Sequence, residues 1–195
     1  MNYTDLVLSE KPFSSRVVNL ALIFGTSWLI ALSAQYAIHL PFSPVPVTGQ
    51  TLIVLLAGIF LGKNRAAGAV GIYLLQGAAG LPFFAGGKSG LAVLFGPTGG
   101  YLFGFLAGAY VVGMLSELWH KRSSWQAGIT LIIGNILIYI FGLVWLVRFV
   151  GEAQVLQLGL IPFLIGDALK LVTAVIVAWG SSILEKPTHP TPTSF

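Results

Sequence analysis

VVNLALIFGTSWLIALSAQYAIHL, residues 17–40, holds no charged side chain apart from the titratable His39. A helix needs about 20 apolar residues to cross the hydrocarbon core of a bilayer, and this run supplies them. It is too long for the apolar part of a signal peptide and lacks a small-residue cleavage site, so it reads as a retained first transmembrane helix. A polar segment, residues 1–16, precedes it and ends in Lys11, Pro12, Ser14, Ser15 and Arg16. Pro41, Pro44 and Pro46 stop it and hold the next connection rigid, because proline fixes φ and removes a backbone donor.

Five more apolar runs follow. Gln50–Gly62 and Ala66–Leu81 are both shorter than a full span and are separated by Lys63-Asn64-Arg65. Residues 82–100, PFFAGGKSGLAVLFGPTGG, form a glycine-rich third loop. Tyr101–Leu118 is the fourth helix, His120-Lys121-Arg122-Ser123-Ser124 a basic turn, and Gln126–Phe149 the fifth helix. A short fifth loop opens with Gly151-Glu152-Ala153-Gln154, and Ile161–Leu184 is the sixth helix. The fold class is therefore an all-α integral membrane protein with one six-helix domain, residues 17–184, and a disordered Pro- and Thr-rich tail over 185–195. Six spans put both termini and the even loops on one side, with Lys11, Arg16, Lys63, Arg65, Lys121, Arg122 and Lys186, against Lys88 and Arg148 on the other. Positive charge marks the cytoplasmic side, so both termini are expected there and the first, third and fifth loops outside.

Composition supports this class. Hydrophobic residues make up 56% and charged residues 8%, whereas a soluble chain carries about 25% charged residues. The net charge of +4 rests on only 10 scattered Lys and Arg, which excludes a nucleic-acid-binding domain. With no Cys, thiol chemistry, disulfides and Cys-ligated metals are out, and the three His at 39, 120 and 189 make no ligand spacing.

The residue pattern that stands out is Gly166-Asp167-Ala168-Leu169-Lys170, a carboxylate and an ammonium three residues apart on one face of the last helix. Charges inside a span are costly and face a polar cavity or a partner. The pair is either a self-compensating packing element or a polar pole for a ligand captured from outside. In the first loop, Thr48, Gln50 and Thr51 are presented on a stiff backbone; they either contact a ligand or cap the helix that follows. The third loop combines Phe83, Phe84, Phe95 and Tyr101 with many glycines. That suits close backbone approach to a ligand, or a tightly packed connection. Gly87-Lys88-Ser89 lacks the spacing of a P-loop. Glu117 and Arg148 read as interfacial, and Ala21 with Gly25, like Gly104 with Gly108, permits close helix approach. Asp167 has no second carboxylate and no nucleophile–base set with it, so an enzyme is not expected.

Taken together, three of these stretches resemble a known family. Pro44-Val45-Pro46-Val47-Thr48-Gly49-Gln50-Thr51 resembles the first-loop motif of the biotin-transporter substrate-binding components, the BioY family. Gly80-Leu81-Pro82-Phe83-Phe84-Ala85-Gly86-Gly87 and Gly96-Pro97-Thr98-Gly99-Gly100-Tyr101-Leu102 are similar to its third-loop signature, and Gly166-Asp167 with Lys170 to its last-helix pair. The motifs occur in family order over nearly the whole chain.

The resemblance implies the S-component of an energy-coupling factor (ECF) transporter, multi-pass in the prokaryotic inner membrane. It implies biotin as ligand, a membrane T-component and two cytoplasmic ATPases as partners, and no cofactor of its own. The alternatives it leaves are another vitamin, or a chain that transports as a homo-oligomer without a dedicated module. By resemblance Asp167 and Lys170 hold the ureido head, with Gln50 as a further polar contact; Thr48 of the first loop and Phe84 of the third are ligand-site candidates from the reading of those loops. Gly86, Gly100 and Tyr101 cover the carboxylate side. Some family members carry Asn or Arg where this chain has Gly86 and Gly100, which makes Lys88, Tyr101 and Arg148 candidates for the carboxylate. Ala21 and Gly25 are expected on the face that docks the T-component.

Overall fold

The computed structural model describes residues 15–119 and 124–184, so most of the polar N-terminal segment, the core of the basic turn and the tail lie outside the described residues. Among those described the chain is helical, with no strands beyond two isolated bridges, Ile38 with Val47 and Phe84 with Lys88. The helices are α1 Ser15–Gln35, α2 Gln50–Ala78, α3 Leu91–Leu94, α4 Gly99–Leu118, α5 Ser124–Val150, α6 Glu152–Gly159 and α7 Leu164–Leu184. Short 3-10 turns occupy Ala85–Gly87 and Ile161–Phe163.

Counted by length and composition, five helical stretches could cross a membrane. The second of them, α2, is two. At Gly62 the backbone takes φ 76° and ψ 173°, a conformation open to glycine alone. Gln50 Nε2 donates to the Tyr73 hydroxyl at 2.6 Å. In one straight helix those residues would stand about 35 Å apart. The chain therefore folds back at Gly62 into antiparallel legs, residues 50–61 and 63–78, about 18 and 24 Å long. Each is shorter than the hydrocarbon core, about 30 Å thick. Six segments result, as the hydropathy predicts.

The expected loop Lys63-Asn64-Arg65 is absent, and those residues already belong to the second leg. Its first turn is held from α4: Glu117 accepts the Lys63 backbone N–H at 3.0 Å and pairs with its ammonium at 3.2 Å. Ser116 Oγ donates to Ile59 O at 3.2 Å from the same turn of α4. The fifth loop also departs from expectation, because most of it is the helix α6.

α4 lies along both α2 and α5, α1 packs on α2, and α7 packs mainly on α5. Glycines let the central helices touch backbone to side chain; Gly142, for instance, faces the Tyr101 ring. The opposite end from the Gly62 turn gathers the three odd loops. Gln35 Nε2 donates to Pro82 O at 3.1 Å, tying the end of α1 to the third loop. Ser43 Oγ donates to Leu158 O at 2.7 Å, across 115 residues, tying the first loop to α6. Trp145 Nε1 donates to Gly96 O at 3.0 Å.

Candidate functional site

Beneath those loops is a cavity of about 750 Å³, counting its open mouth, lined by the first and third loops, the start of α2, α3, α4, α5 and the segment from Phe163 into α7. Val45, Phe84, Val93, Leu102, Phe105, Ile138 and Phe163 supply apolar wall, while Thr48, Gln50, Thr51, Thr98, Asn135, Tyr139, Asp167, Lys170 and Lys88 supply polar atoms.

The pole is built on α5 and α7. Asp167 is only 7% exposed, and ionised carboxylates at that burial require partners. One oxygen, Oδ1, accepts from Lys170 Nζ at 2.9 Å. The other, Oδ2, accepts from the Tyr139 hydroxyl. Asp167 and Lys170 meet because they sit three residues apart in the first turns of α7, on its cavity face. Tyr139 reaches them across the α5–α7 contact, and its ring meets Tyr101 edge-on at 6.3 Å. One turn before Tyr139, on the same face of α5, Asn135 lines the cavity at 8% exposure, and its Oδ1 has no hydrogen-bond partner.

The second polar group sits at the start of α2. Gln50 is buried; its amide nitrogen donates to Tyr73, and its carbonyl accepts from Thr48 Oγ1 at 3.1 Å. Thr48 Oγ1 in turn accepts the Gln50 backbone N–H at 3.4 Å. Thr48 thus braces Gln50, the first residue of the helix, and lines the cavity at once.

The roof depends on Phe84, which is 1% exposed. Its ring sits on Tyr73, centroids 5.7 Å apart, and fills the space over Gly77. A Cβ at position 77 would lie 2.4 Å from that ring. Gly77→Ala is expected to displace Phe84 and with it the roof. Overpacking of this kind costs about 1–3 kcal/mol, or about 2–12 °C in the thermal midpoint at this chain length. Thermal unfolding of the detergent-purified variant measures it.

Six of the residues expected at a ligand site line one cavity: Asp167, Lys170, Gln50, Tyr101, Phe84 and Thr48. Gly86 and Gly100 stand apart from it. Gly86 lies under His39, and Gly100 packs against Trp145 and Phe141 where α4 meets α5. Of the cationic candidates, Lys88 lines the cavity, while Arg148 lies over the Trp145 ring at 4.7 Å. Tyr101 gives its hydroxyl proton to Gly159 O at 2.7 Å. Asn135 and Tyr139 went unnoticed in the sequence, although two polar-headed residues four apart in an apolar run share one helix face. Ala21 and Gly25 are exposed on α1, with open space over Gly25. No group of residues among those described has metal-ligand geometry.

Residues 8–184 match the profile of the BioY family. The chain is 42% identical to the biotin transporter BioY of Thermotoga maritima over 76% of this chain and 87% of that protein. It is 36% identical to the probable biotin transporter BioY of Pyrococcus horikoshii over 84% and 94%. Its fold matches the crystal structure of the S-component for biotin from an ECF-type ABC transporter, with a TM-score of 0.78 over 90% of this chain and 95% of that one, at 23% identity.

Proposed function

Since the chain belongs to the BioY family, we propose that it is the biotin-capturing S-component of an ECF-type vitamin transporter, spanning the prokaryotic cell membrane several times. Relatives named as biotin transporters support the ligand, and they are transporters rather than enzymes. The single observation that carries the reading is the Asp167–Lys170 pair, its carboxylate buried and joined by Tyr139, inside a cavity roofed by three loops.

Biotin's chemistry suits that cavity. Its ureido ring offers N–H donors and a carbonyl acceptor, which an adjacent carboxylate and ammonium answer. Its thioether ring and aliphatic chain want the apolar wall of Val93, Leu102, Phe105 and Ile138. Its carboxylate is answered by Lys88 in the third loop, an exposed cation on the lining. In this reading Gln50 and Thr48 order the start of α2 beside the ligand, and Phe84 closes over it.

The positive charge at the Gly62 turn, Lys63 and Arg65, favours a cytoplasmic position for that end. The termini then share it, and the loops face outside. The chain has no ATP-binding motif of its own, so transport energy comes from partners: a membrane T-component and two cytoplasmic ATPases, with no cofactor on this chain. The small-residue stretch at Ala21 and Gly25, exposed on α1, serves as the docking face.

The test is a thermal shift of the detergent-purified protein with biotin, beside thiamine and riboflavin. A ligand that binds only the folded state, at 100 times its Kd, adds about 2.7 kcal/mol. The expected result is a shift of several degrees with micromolar biotin and none with the other two vitamins. A shift with thiamine or riboflavin instead would replace the ligand. No shift with any would overturn the reading.

A further inference from the structure

Three buried side-chain atoms among the described residues lack a hydrogen-bond partner: Asn19 Oδ1, Trp119 Nε1 and Asn135 Oδ1. Only Asn135 lines the cavity. A buried carbonyl oxygen without a donor is uncommon in folded proteins and marks a group held for another purpose. Asn135 sits mid-helix in α5, four residues before Tyr139, whose hydroxyl bonds Asp167. It therefore lies one turn, about 6 Å, further from the loops than Tyr139 along the same face. Lys170 likewise lies on the far side of Asp167 from the start of α7. Asn135 and Lys170 together form the cavity's deep end.

Asp167 already accepts one bond at each oxygen, and Lys170 supplies the cation. What that pole leaves unanswered is a second N–H donor on the ligand. We infer that Asn135 is a specificity-determining residue whose side-chain carbonyl accepts a hydrogen bond from one ureido N–H of biotin. Asp167 accepts from the other N–H, and Lys170 donates to the ureido carbonyl. The inference rests on biotin being the ligand. The three groups read a cyclic urea as a set, acceptor–donor–acceptor against donor–acceptor–donor, and reject rings that lack either N–H.

The experiment compares the parent protein with Asn135→Leu, which keeps the branched outline of the side chain, adds bulk and deletes the amide. Unliganded thermal midpoints are recorded, and calorimetric affinities are measured for biotin and for biotin methyl ester. Because no protein group pairs with the carbonyl, the loss of the amide should change the unliganded midpoint little. Biotin affinity should fall about tenfold or more, and the methyl ester should show the same fold loss, since the ureido end is common to both. A biotin loss below about fivefold would overturn the inference. So would a loss that disappears with the ester, because Asn135 would then face the carboxylate end. Asn135→Ala, which adds no bulk, is put through the same readings with the same thresholds, and the affinity loss must appear in both variants. Failure of the parent itself to bind biotin is a separate outcome. It removes the ligand reading, and this inference with it.

Discussion

Asp167→Asn is expected to weaken biotin binding by one to two orders of magnitude. The side chain keeps its shape and one acceptor oxygen, so the cavity should keep its volume. What it loses is the charge that holds Lys170 Nζ at 2.9 Å and receives the Tyr139 proton. Removing one partner of a buried ion pair costs about 3–5 kcal/mol, because the other charge is left without compensation. At about 1.4 kcal/mol per tenfold in affinity, a loss of one to two decades takes about 1.4–2.8 kcal/mol of that total. Part of the cost falls on the unliganded protein, where Lys170 faces Asn with no countercharge. Unliganded thermal midpoint and biotin affinity should therefore be measured together, for Asp167→Asn, Lys170→Ala and the double variant. The double variant should recover stability relative to Asp167→Asn without recovering affinity. Biotin affinity within about threefold of the parent in Asp167→Asn would remove the pair from the site.

Gly113→Ala should have a large effect on folding. Gly113 faces the turn of α2, and a Cβ there would lie 2.3 Å from the Lys63 backbone nitrogen and 2.6 Å from the Gly62 carbonyl carbon. The obstacle is backbone, which cannot rotate aside as a side chain would. The turn in turn depends on Gly62 at φ 76°, so α4 and the two legs fit only as a unit. Forcing them apart breaks the contacts of Glu117 with Lys63 and of Ser116 with Ile59. The cost belongs at or above the top of the overpacking range, about 3 kcal/mol, which is about 6–12 °C at this chain length. Thermal unfolding in detergent, with yield of monodisperse protein as the second reading, measures it. A midpoint within about 2 °C of the parent would show that the legs can separate without loss.

The six apolar segments were legible because lipid imposes a length and excludes charge, and both rules leave marks along the chain. The two short runs around Lys63 were legible for the same reason. Their junction was not. Lys63-Asn64-Arg65 looks like a loop, yet Gly62 alone makes the turn, because Glu117, 54 residues away, takes up the freed Lys63 N–H. No local pattern tells which of 24 glycines adopts positive φ. At the site, Asp167 and Lys170 were visible as charges in an apolar run. Tyr139 and Asn135 were hidden because a tyrosine in a span also fits an interfacial position, and their role appears only where α5 meets α7. Gly86 and Gly100 carry the third-loop resemblance, but the structure uses them for close approach to His39 and Trp145.

The order of the site's elements along the chain has a consequence for biogenesis. Segments enter the membrane in the order of synthesis, so α5, with Tyr139 and Asn135, is in place before α7 brings Asp167 and Lys170. An unpaired charge is expensive in lipid. Here the carboxylate arrives carrying its own ammonium three residues behind, into a wall where a hydroxyl donor is already waiting. Reversing the order of these helices would leave the charged helix to wait in hydrocarbon for its third partner. The insertion of α7 is thus the step that completes the cavity, and the Ser43 bond to Leu158 can form only once α6 has crossed over the first loop.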